Sequence, residues 1–563
     1  MVKKFFNMLN KEFSGITEAA FLLGTFALVS QILGLFRDRA LAHYLGPSSS
    51  LDVYYTAFRV PDLIFNSVAS LVSITVLIPF FIERLERDAV NKTHESKYFL
   101  NQVFTVFFGL IVSISLVAFI LMPLLAPFLA PGFDAVQLKE LVEVSRIMLL
   151  SPIFLGISNL FGIISQIFKR FFVYALAPVM YNLGIIIGII FFYPKFGIYG
   201  LAYGVALGAL LHLLIQLPVL VRHNFAPGFS FPIKWLELKN IFLLSLPRTL
   251  GLSINSFTLA IILAIASTVG EGSVSVFNFS FNLHSVPISI IGVSYSVAAF
   301  PALARAFSLG QIDLYKSQMI TTARQIIFWS MPIIFLFIVL RAQIVRVILG
   351  SGSFTWADTK LTAASFAILA LSVLAQSLIV LLVRGYYAAG ETKRPLTTNL
   401  LFSVVQIFLA YALYYWFLKS PELRYFVESL LRVEDVPGTA LLMLPLGYSI
   451  GTILNFFALW LRYRKDYLLE ENSALLKTFF QVFSSSFFMA YTAYLLLGVF
   501  DNVFDINTFW GILGQGFFSG LIGIFVGIFF LKMLGSKEFK EVEIAFRHKF
   551  WKSKVIAPNQ TQL

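Results

Sequence analysis

Fourteen stretches of about twenty or more mostly apolar residues follow one another along the chain, and a stretch of that kind is what crosses a bilayer as a helix. They run over 16–43, 51–82, 98–126, 138–168, 172–194, 197–221, 238–270, 273–307, 317–347, 357–388, 394–418, 438–463, 473–499 and 507–534. The second and eighth carry polar residues inside. The expected fold class is an all-α polytopic membrane protein. Composition agrees: 58% of the 563 residues are hydrophobic and 13% charged, whereas a soluble domain carries about 25% charged residues. A disordered, collagenous or nucleic-acid-binding chain is excluded, despite a net charge of +13.

That positive charge has a location. With the N-terminus in the cytoplasm, the inner segments hold 29 of the 42 Lys and Arg, the asymmetry of a multi-pass chain with both termini inside. The first apolar stretch is too long for a cleavable signal peptide and has no small-residue cleavage site. Residues 1–14 alternate Lys with Phe and Leu, as an interfacial helix does. In the tail, Phe539, Val542, Phe546 and Phe550 share one helical face beside Lys540, Arg547 and Lys549. Such a face suits either an anionic inner leaflet or a solvated basic tail.

No Cys is present, which removes thiolate metal sites and Cys nucleophiles. The six His (43, 94, 212, 223, 284 and 548) lie at no ligand spacing, and no phosphate-binding GxxxxGK[ST] loop occurs. No catalytic residue, metal or cofactor is expected.

Local patterns recur in the two halves. Residues 45–61 parallel 271–287, with Gly46 on Gly272 and Pro61 on Pro287. Pro178 and Asn182 recur as Pro395 and Asn399, and Leu201, Gly204, Gly208 and His212 recur as Leu444, Gly447, Gly451 and Asn455. Six spans separate equivalent points, so the repeats are parallel, related by an axis along the membrane normal. The expected divisions are an N-lobe over 1–222, a C-lobe over 223–465, a helix pair over 466–535 and a basic tail over 536–563. The glycine ladders Gly200/Gly204/Gly208 and Gly447/Gly451 suit close helix packing. In the last span Gly516, Gly520, Gly523 and Gly527 suit packing too, or an acyl chain laid on a smooth face.

Ionisable residues at membrane depth default to function. In span 2, Asp52, Tyr55, Arg59, Asp62, Asn66, Ser70 and Ser73 follow helical steps of three and four. Span 8 repeats the design with Ser275, Asn278, Asn282, Ser285 and Ser289, and His284 beside them. Span 1 adds Gln31, Gly34 and Asp38, flanked by Arg37 and Arg39; span 7 adds Arg248 and Asn255. A cavity lined by spans 1, 2, 7 and 8 is expected. At 1.5 Å per residue, Arg59 and Arg37 lie about 12 and 9 Å below the outer ends of their spans. Two guanidiniums at similar depth suit a phosphate; pairing with Asp38, Asp52 or Asp62 is the alternative, weighed more heavily for Arg59 than for Arg37.

At these residues the sequence resembles the lipid II flippase MurJ (MviN) family of the multidrug/oligosaccharidyl-lipid/polysaccharide exporter superfamily. The segments that carry the resemblance are Gly34-Leu35-Phe36-Arg37-Asp38, Asp52 with Phe58 and Pro61, Pro79, Ala177-Pro178 with Asn182, Leu246-Pro247 with Leu250-Gly251, Pro301 with Leu303, Gly352 with Phe354 and Asp358, and Tyr387-Ala388 with Thr392 and Pro395. The resemblance implies two six-helix lobes around a cavity, two C-terminal helices whose groove takes a polyprenyl tail, and alternating access that carries an undecaprenyl-linked cell-wall precursor outward. It implies that cavity arginines hold the diphosphate. Arg37 matches one of them and Arg59 a basic position, while Gln31 and Asn282 stand where the family has arginine, Phe65 falls near a third such position, and Asp62 replaces the usual asparagine.

The resulting expectation is a lipid-linked oligosaccharide flippase of the bacterial cytoplasmic membrane, a monomer whose partners are the lipid-linked glycan and membrane lipids. The competing expectations are a drug or metabolite antiporter of the same superfamily and a flippase for another lipid-linked glycan. A membrane glycosyltransferase would need a catalytic outer loop, and the charges of alternating sign over 419–437 read instead as a short solvated helix.

Overall fold

A computed structural model of the chain describes residues 16–69, 74–91, 94–467 and 472–550. Every regular element among them is helical. Ten helices are long and apolar enough to span a membrane, or eleven when the pair Trp356–Ala370 and Val373–Ala388, bent by 43°, is taken as one span. The three other expected spans, the first, second and seventh, are helical but not among those ten. They carry Arg37 and Asp38, Arg59 and Asp62, and Arg248.

The chain packs as two compact units. Unit 1 comprises residues 1–283, 348–365 and 392–451. Its first span is α1 (Ile16–Tyr44). The second is broken into α2 (Ser49–Ala57), α3 (Arg59–Ile64), a π-helical segment Phe65–Ala69 and α4 (Ile74–Asn91). Then come α5 (Glu95–Leu129), α6 (Ala135–Met148), α7 (Leu150–Ile167), α8 (Phe171–Ile187) and α9 (Ile198–Leu214). α10 (Trp235–Ser267) is the seventh span, and α11 (Ser273–Pro287) opens the eighth.

Local chemistry sets several of these boundaries. Asp134 starts α6 through a capping box: its Oδ1 accepts from the Gln137 N–H at 2.8 Å, and Gln137 Oε1 accepts from the Asp134 N–H at 2.8 Å. The matched prolines act alike. Pro61 lies four residues before the π segment Phe65–Ala69, and Pro287 directly before the π segment Ile288–Val293. A proline lacks the N–H that closes a helical turn and crowds the preceding carbonyl, so the ladder slips register around it. This shared defect is structural support for the duplication.

Between lipid-embedded helices apolar surface supplies little drive, and close backbone approach supplies more. A methyl at Gly184 of α8, or at Gly188 in the π turn that follows it, would collide with the backbone of Gly208 or Gly204 on α9, so the first ladder is a packing seam. Within unit 1 the 419–437 loop holds a solvated helix, Pro421–Leu431, as expected. Its Glu428 accepts from Arg424 Nε at 3.0 Å and Thr439 Oγ1 at 2.5 Å. Lys360 Nζ meets Asp435 at 2.7 Å, and this hydrogen bond holds the exposed Asp435 carboxyl below its ordinary range.

Unit 2 comprises 284–347, 366–391 and 452–563. It contains the π segment after Pro287 and α12 (Ser294–Ser308), α13 (Ile312–Val339) and α14 (Val373–Ala388). The lower part of α15 (Met443–Tyr467), α16 (Asn472–Asp501), α17 (Phe509–Met533) and α18 (Lys537–Phe550) complete it. Buried Tyr315, Tyr386 and Tyr463 anchor its core. Tyr315 Oη bonds Tyr463 Oη and donates to the Gly385 carbonyl at 2.9 Å, and Tyr386 Oη donates to Asp466 at 2.8 Å.

The glycines of α17 are filled by protein: Gly516 and Gly520 face Gln343 and Leu340, and Gly523 and Gly527 face Met489 and Ala493. Packing is their use, and no smooth face is left there for an acyl chain. The start of the tail helix α18 also turns inward. Phe539 and Val542 pack on the unit's core, Glu538 is ion-paired to Arg324 at 2.6 Å, and Glu541 accepts from Gln325 at 2.8 Å. The side chains of Phe546 and Phe550, and residues 1–15, lie outside the described residues.

Candidate functional site

The buried polarity of spans 1, 2 and 8 meets inside unit 1. At one end of the seam, α2 and α11 cap each other. Asp52, 2% exposed, accepts from the Gly272 N–H at 2.7 Å, the Ser275 N–H at 2.7 Å and Ser275 Oγ at 2.5 Å. In return Glu271 Oε1 accepts from the Ser49 N–H at 2.9 Å. A carboxylate on the unpaired N–H groups of a helix start is favourable, and here each helix supplies or borders the other's. Gly272 makes this approach possible: its φ is +79°, and a methyl there would press on the backbone of Pro47 just before α2. Gly46, the position matched to it, also has positive φ (61°) but lies against Ser353 of a different turn.

Deeper in the same seam lie two guanidiniums. Arg37 donates through Nε and Nη2 to Asp38 Oδ1 at 3.0 and 2.8 Å, and Asn282 Nδ2 donates to the other oxygen of Asp38 at 2.9 Å. Arg59 Nη2 donates to Asn278 Oδ1 at 2.6 Å, while Asn278 Nδ2 is tied to the Val274 carbonyl at 2.8 Å. The order of expectation is thus reversed: Arg37 is the ion-paired arginine, and Arg59 crosses to an amide on α11 and forms no ion pair among the described residues.

The lower part of the stripe meets α10. Asn66 Nδ2 donates to Ser256 Oγ at 2.8 Å, and Ser67 and Ser253 hydroxyls meet at 2.9 Å. Behind α1, Asn182 Nδ2 donates to Ser30 Oγ at 3.1 Å, next to half-buried Gln31. Asn255 is exposed. His284 does not join the cluster: it is fully buried in unit 2, with Nε2 3.1 Å from Ser372 Oγ. The Arg248 side chain and residues Ser70 and Ser73 lie outside the described residues. Among the described residues no group of His, Asp and Glu has the arrangement of a metal site.

Unit 2 carries an apolar cavity of about 360 Å³ lined by Met319, Leu378, Leu382, Phe456, Trp460 and Phe479. It lies among α13, α14, α15 and the first turns of α16.

The family profile described as "Lipid II flippase MurJ" matches residues 41–514. The chain belongs to the lipid II flippase MurJ family. It is 28% identical over 383 residues to a probable lipid II flippase MurJ of Rhizobium tropici, covering 66% of this chain and 71% of that one. To the lipid II flippase MurJ of Burkholderia cenocepacia it is 24% identical over 473 residues, covering 83% and 87%. A solved lipid II flippase MurJ in an inward closed conformation superimposes with a TM-score of 0.70 at 20% identity, over 93% of this chain and all of that one. An inward-facing multidrug resistance MATE family transporter gives 0.63 at 17% identity, over 79% and 96%. These likenesses establish the fold of the MurJ family and its superfamily neighbours.

Sequence reading missed three parts of the seam. Glu271 carries no local capping signal, because the N–H it accepts from belongs to Ser49 at the start of α2, more than two hundred residues earlier. Ser253 and Ser256 lie in an otherwise apolar run at helical spacing. Asn182 was used as a repeat marker, and its bond to Ser30 depends on how α1 lies against α8, which no local pattern records.

Proposed function

We propose that this chain moves the lipid-linked peptidoglycan precursor lipid II from the cytoplasmic to the outer leaflet of the bacterial inner membrane, as a transporter in cell-wall biogenesis. The observation that carries the reading is the pair of guanidiniums, Arg37 and Arg59, held at membrane depth on spans 1 and 2 by Asp38, Asn282 and Asn278. A diphosphate leaving water needs fixed cations and strong donors, and Arg37 and Arg59 supply the cations while Asn278 and Asn282 supply amides. Asp52 acts at the outer closure through the α11 helix start. Asn66 ties span 2 to span 7, and Gln31, Asn255 and Arg248 belong to the walls. The polyprenyl chain takes the apolar cavity bordered by α16.

Both termini are cytoplasmic in this reading, and the two six-span lobes alternate access by parting the contacts that now join α2 to α11. The test is depletion of the protein in its native host, followed by identification of the polyprenyl-linked lipid that accumulates in the inner leaflet. Accumulation of lipid II is expected. A different lipid-linked glycan would reassign the cargo, and unchanged lipid pools would overturn the reading in favour of a small-molecule antiporter.

A further inference from the structure

The three aspartates of spans 1 and 2 are held differently. Asp52 has three donors from the start of α11, and Asp38 has Arg37 and Asn282. Asp62, half-buried on α3, has neither a hydrogen-bond donor nor an ion-pair partner for its carboxylate among the described residues. The nearest cation on its own helix is Arg59, at the i, i+3 spacing at which helical side chains meet. Arg59 nevertheless reaches away to Asn278 at 2.6 Å, and its Nε is buried without a partner. One guanidinium therefore stands between two acceptors, holds one of them and leaves a donor unused.

A carboxylate at membrane depth without donor or cation is costly, and taking up a proton removes the charge. We propose that Asp62 is a proton-binding site whose occupancy depends on which acceptor Arg59 holds. With Arg59 on Asn278, as here, the Asp62 carboxyl carries a proton. When α11 carries Asn278 away, the guanidinium turns to Asp62. The carboxyl O–H bond then breaks, its electron pair stays on the carboxylate, and the proton passes to water in the seam. The assignment rests on the alternation proposed above and makes one proton part of each change of state.

The titratable groups beside Asp62 are Arg59 on its own helix and Tyr181 on α8; Tyr55 lies beyond Arg59, and Arg37 beyond Tyr181. α5, α6, α7 and α10 also pack on this segment; among the described residues none of them brings a charged side chain to the carboxyl, and the Arg248 side chain of α10 lies outside those residues. Among the described residues the surroundings thus offer one cation, and it is engaged elsewhere.

Infrared spectroscopy of the full chain in lipid nanodiscs reads the proton directly, through the C=O stretch of a protonated carboxyl, with no substrate present. Relative to Asp62→Asn, the native chain is expected to show one additional protonated carboxyl at mildly acidic pH. Asp62→Glu should keep that band at a shifted frequency, which guards against a misfolded asparagine variant. Asn278→Ala, which retains Asp62 but releases Arg59 to it, should lose the band. Identical bands in native and Asp62→Asn proteins, or an unchanged band in Asn278→Ala, would overturn the assignment. Because no cargo is involved, that failure is separate from failure of the flippase reading, which the depletion experiment decides.

Discussion

Replacing Arg37 with alanine takes two hydrogen bonds and a counter-charge from Asp38 Oδ1 and leaves that carboxylate with the neutral Asn282 amide. Asp38 is 4% exposed and Arg37 23%. Removing one partner of a buried ion pair costs about 3–5 kcal/mol, and the partial exposure of Arg37 places this case near 3 kcal/mol. Loss of flipping by Arg37→Ala would therefore not by itself distinguish a substrate ligand from a counter-ion. The double variant Arg37→Ala/Asp38→Asn makes that distinction. It removes both charges, so most of the lost stability should return, with a coupling of about 2–3 kcal/mol between the sites. Flipping should not return. Two charge-assisted hydrogen bonds to the diphosphate are worth about 1.5–3 kcal/mol each, so even the lower figure implies about a hundredfold loss. Arg37→Lys should recover part of the activity, since an ammonium lacks the bidentate fork. The assays are denaturant unfolding of purified protein and lipid II translocation in proteoliposomes. Native flipping by the stable double variant would refute the substrate role and reduce Arg37 to neutralising Asp38.

Three further outcomes are expected. In the Cys-free background, Cys at Ser49 or Asp505 should label only from the outer side; labelling only from the cytoplasm would invert the topology. A disulfide between Cys residues placed at Ser50 and Ser273 should hold the outer ends of α2 and α11 together and stop flipping, with recovery on reduction. Continued transport by quantitatively cross-linked protein would contradict opening at this end. At the tail helix, burial pushes the Glu538 carboxyl up, but its own backbone N–H, Thr478, Ser536 and Arg324 outweigh that and hold it below its ordinary value of 4.5. Its stabilising contribution is then complete above pH 4.5 and fades as pH falls through the lower folded value. Glu538→Gln should lower the unfolding midpoint at neutral pH and flatten this acid limb; an unchanged acid limb would remove Glu538 as its source.

What the sequence disclosed depended on how local each feature is. Helix type and the eleven apolar spans follow from run length alone. The recurrence of Pro61 as Pro287 and of Gly46 as Gly272 was legible, because a proline interrupts the helical ladder and a positive-φ glycine marks a turn wherever it stands. The polar stripes lie on the helices whose buried polar groups meet in the seam, since charge cannot face lipid. Partners were not legible. Whether Arg37 or Arg59 is paired depends on rotamers and on where α11 lies, and neighbours in sequence such as Asn282 and His284 were separated by helical phase. Asn282 faces Asp38, while His284, two residues on, is directed into the packing at Ser372. The first turn of α18 was misjudged for a similar reason: its apolar face reads equally well for lipid and for protein, and Arg324, more than two hundred residues earlier, supplies the partner for Glu538.

Asparagine at position 282, where the resemblance implies arginine, can be understood from the same geometry. The Nδ2 of Asn282 donates to the Asp38 oxygen that Arg37 does not hold. An arginine there would compete with Arg37 for that carboxylate, so the substitution leaves Asp38 bound to a single guanidinium. Asn278 likewise accepts from Arg59 without neutralising it. Within the described seam the fixed cations are Arg37 and Arg59, one held by a charge and one by an amide. Extracting Arg37 means breaking two charge-assisted hydrogen bonds, whereas Arg59 need give up only one bond to a neutral acceptor. Diphosphate entering such a seam would engage Arg59 first and Arg37 only as Asp38 is drawn off by Asn282. Headgroup binding then depends on the order in which these contacts yield, in place of the greater cation count of an arginine-rich relative.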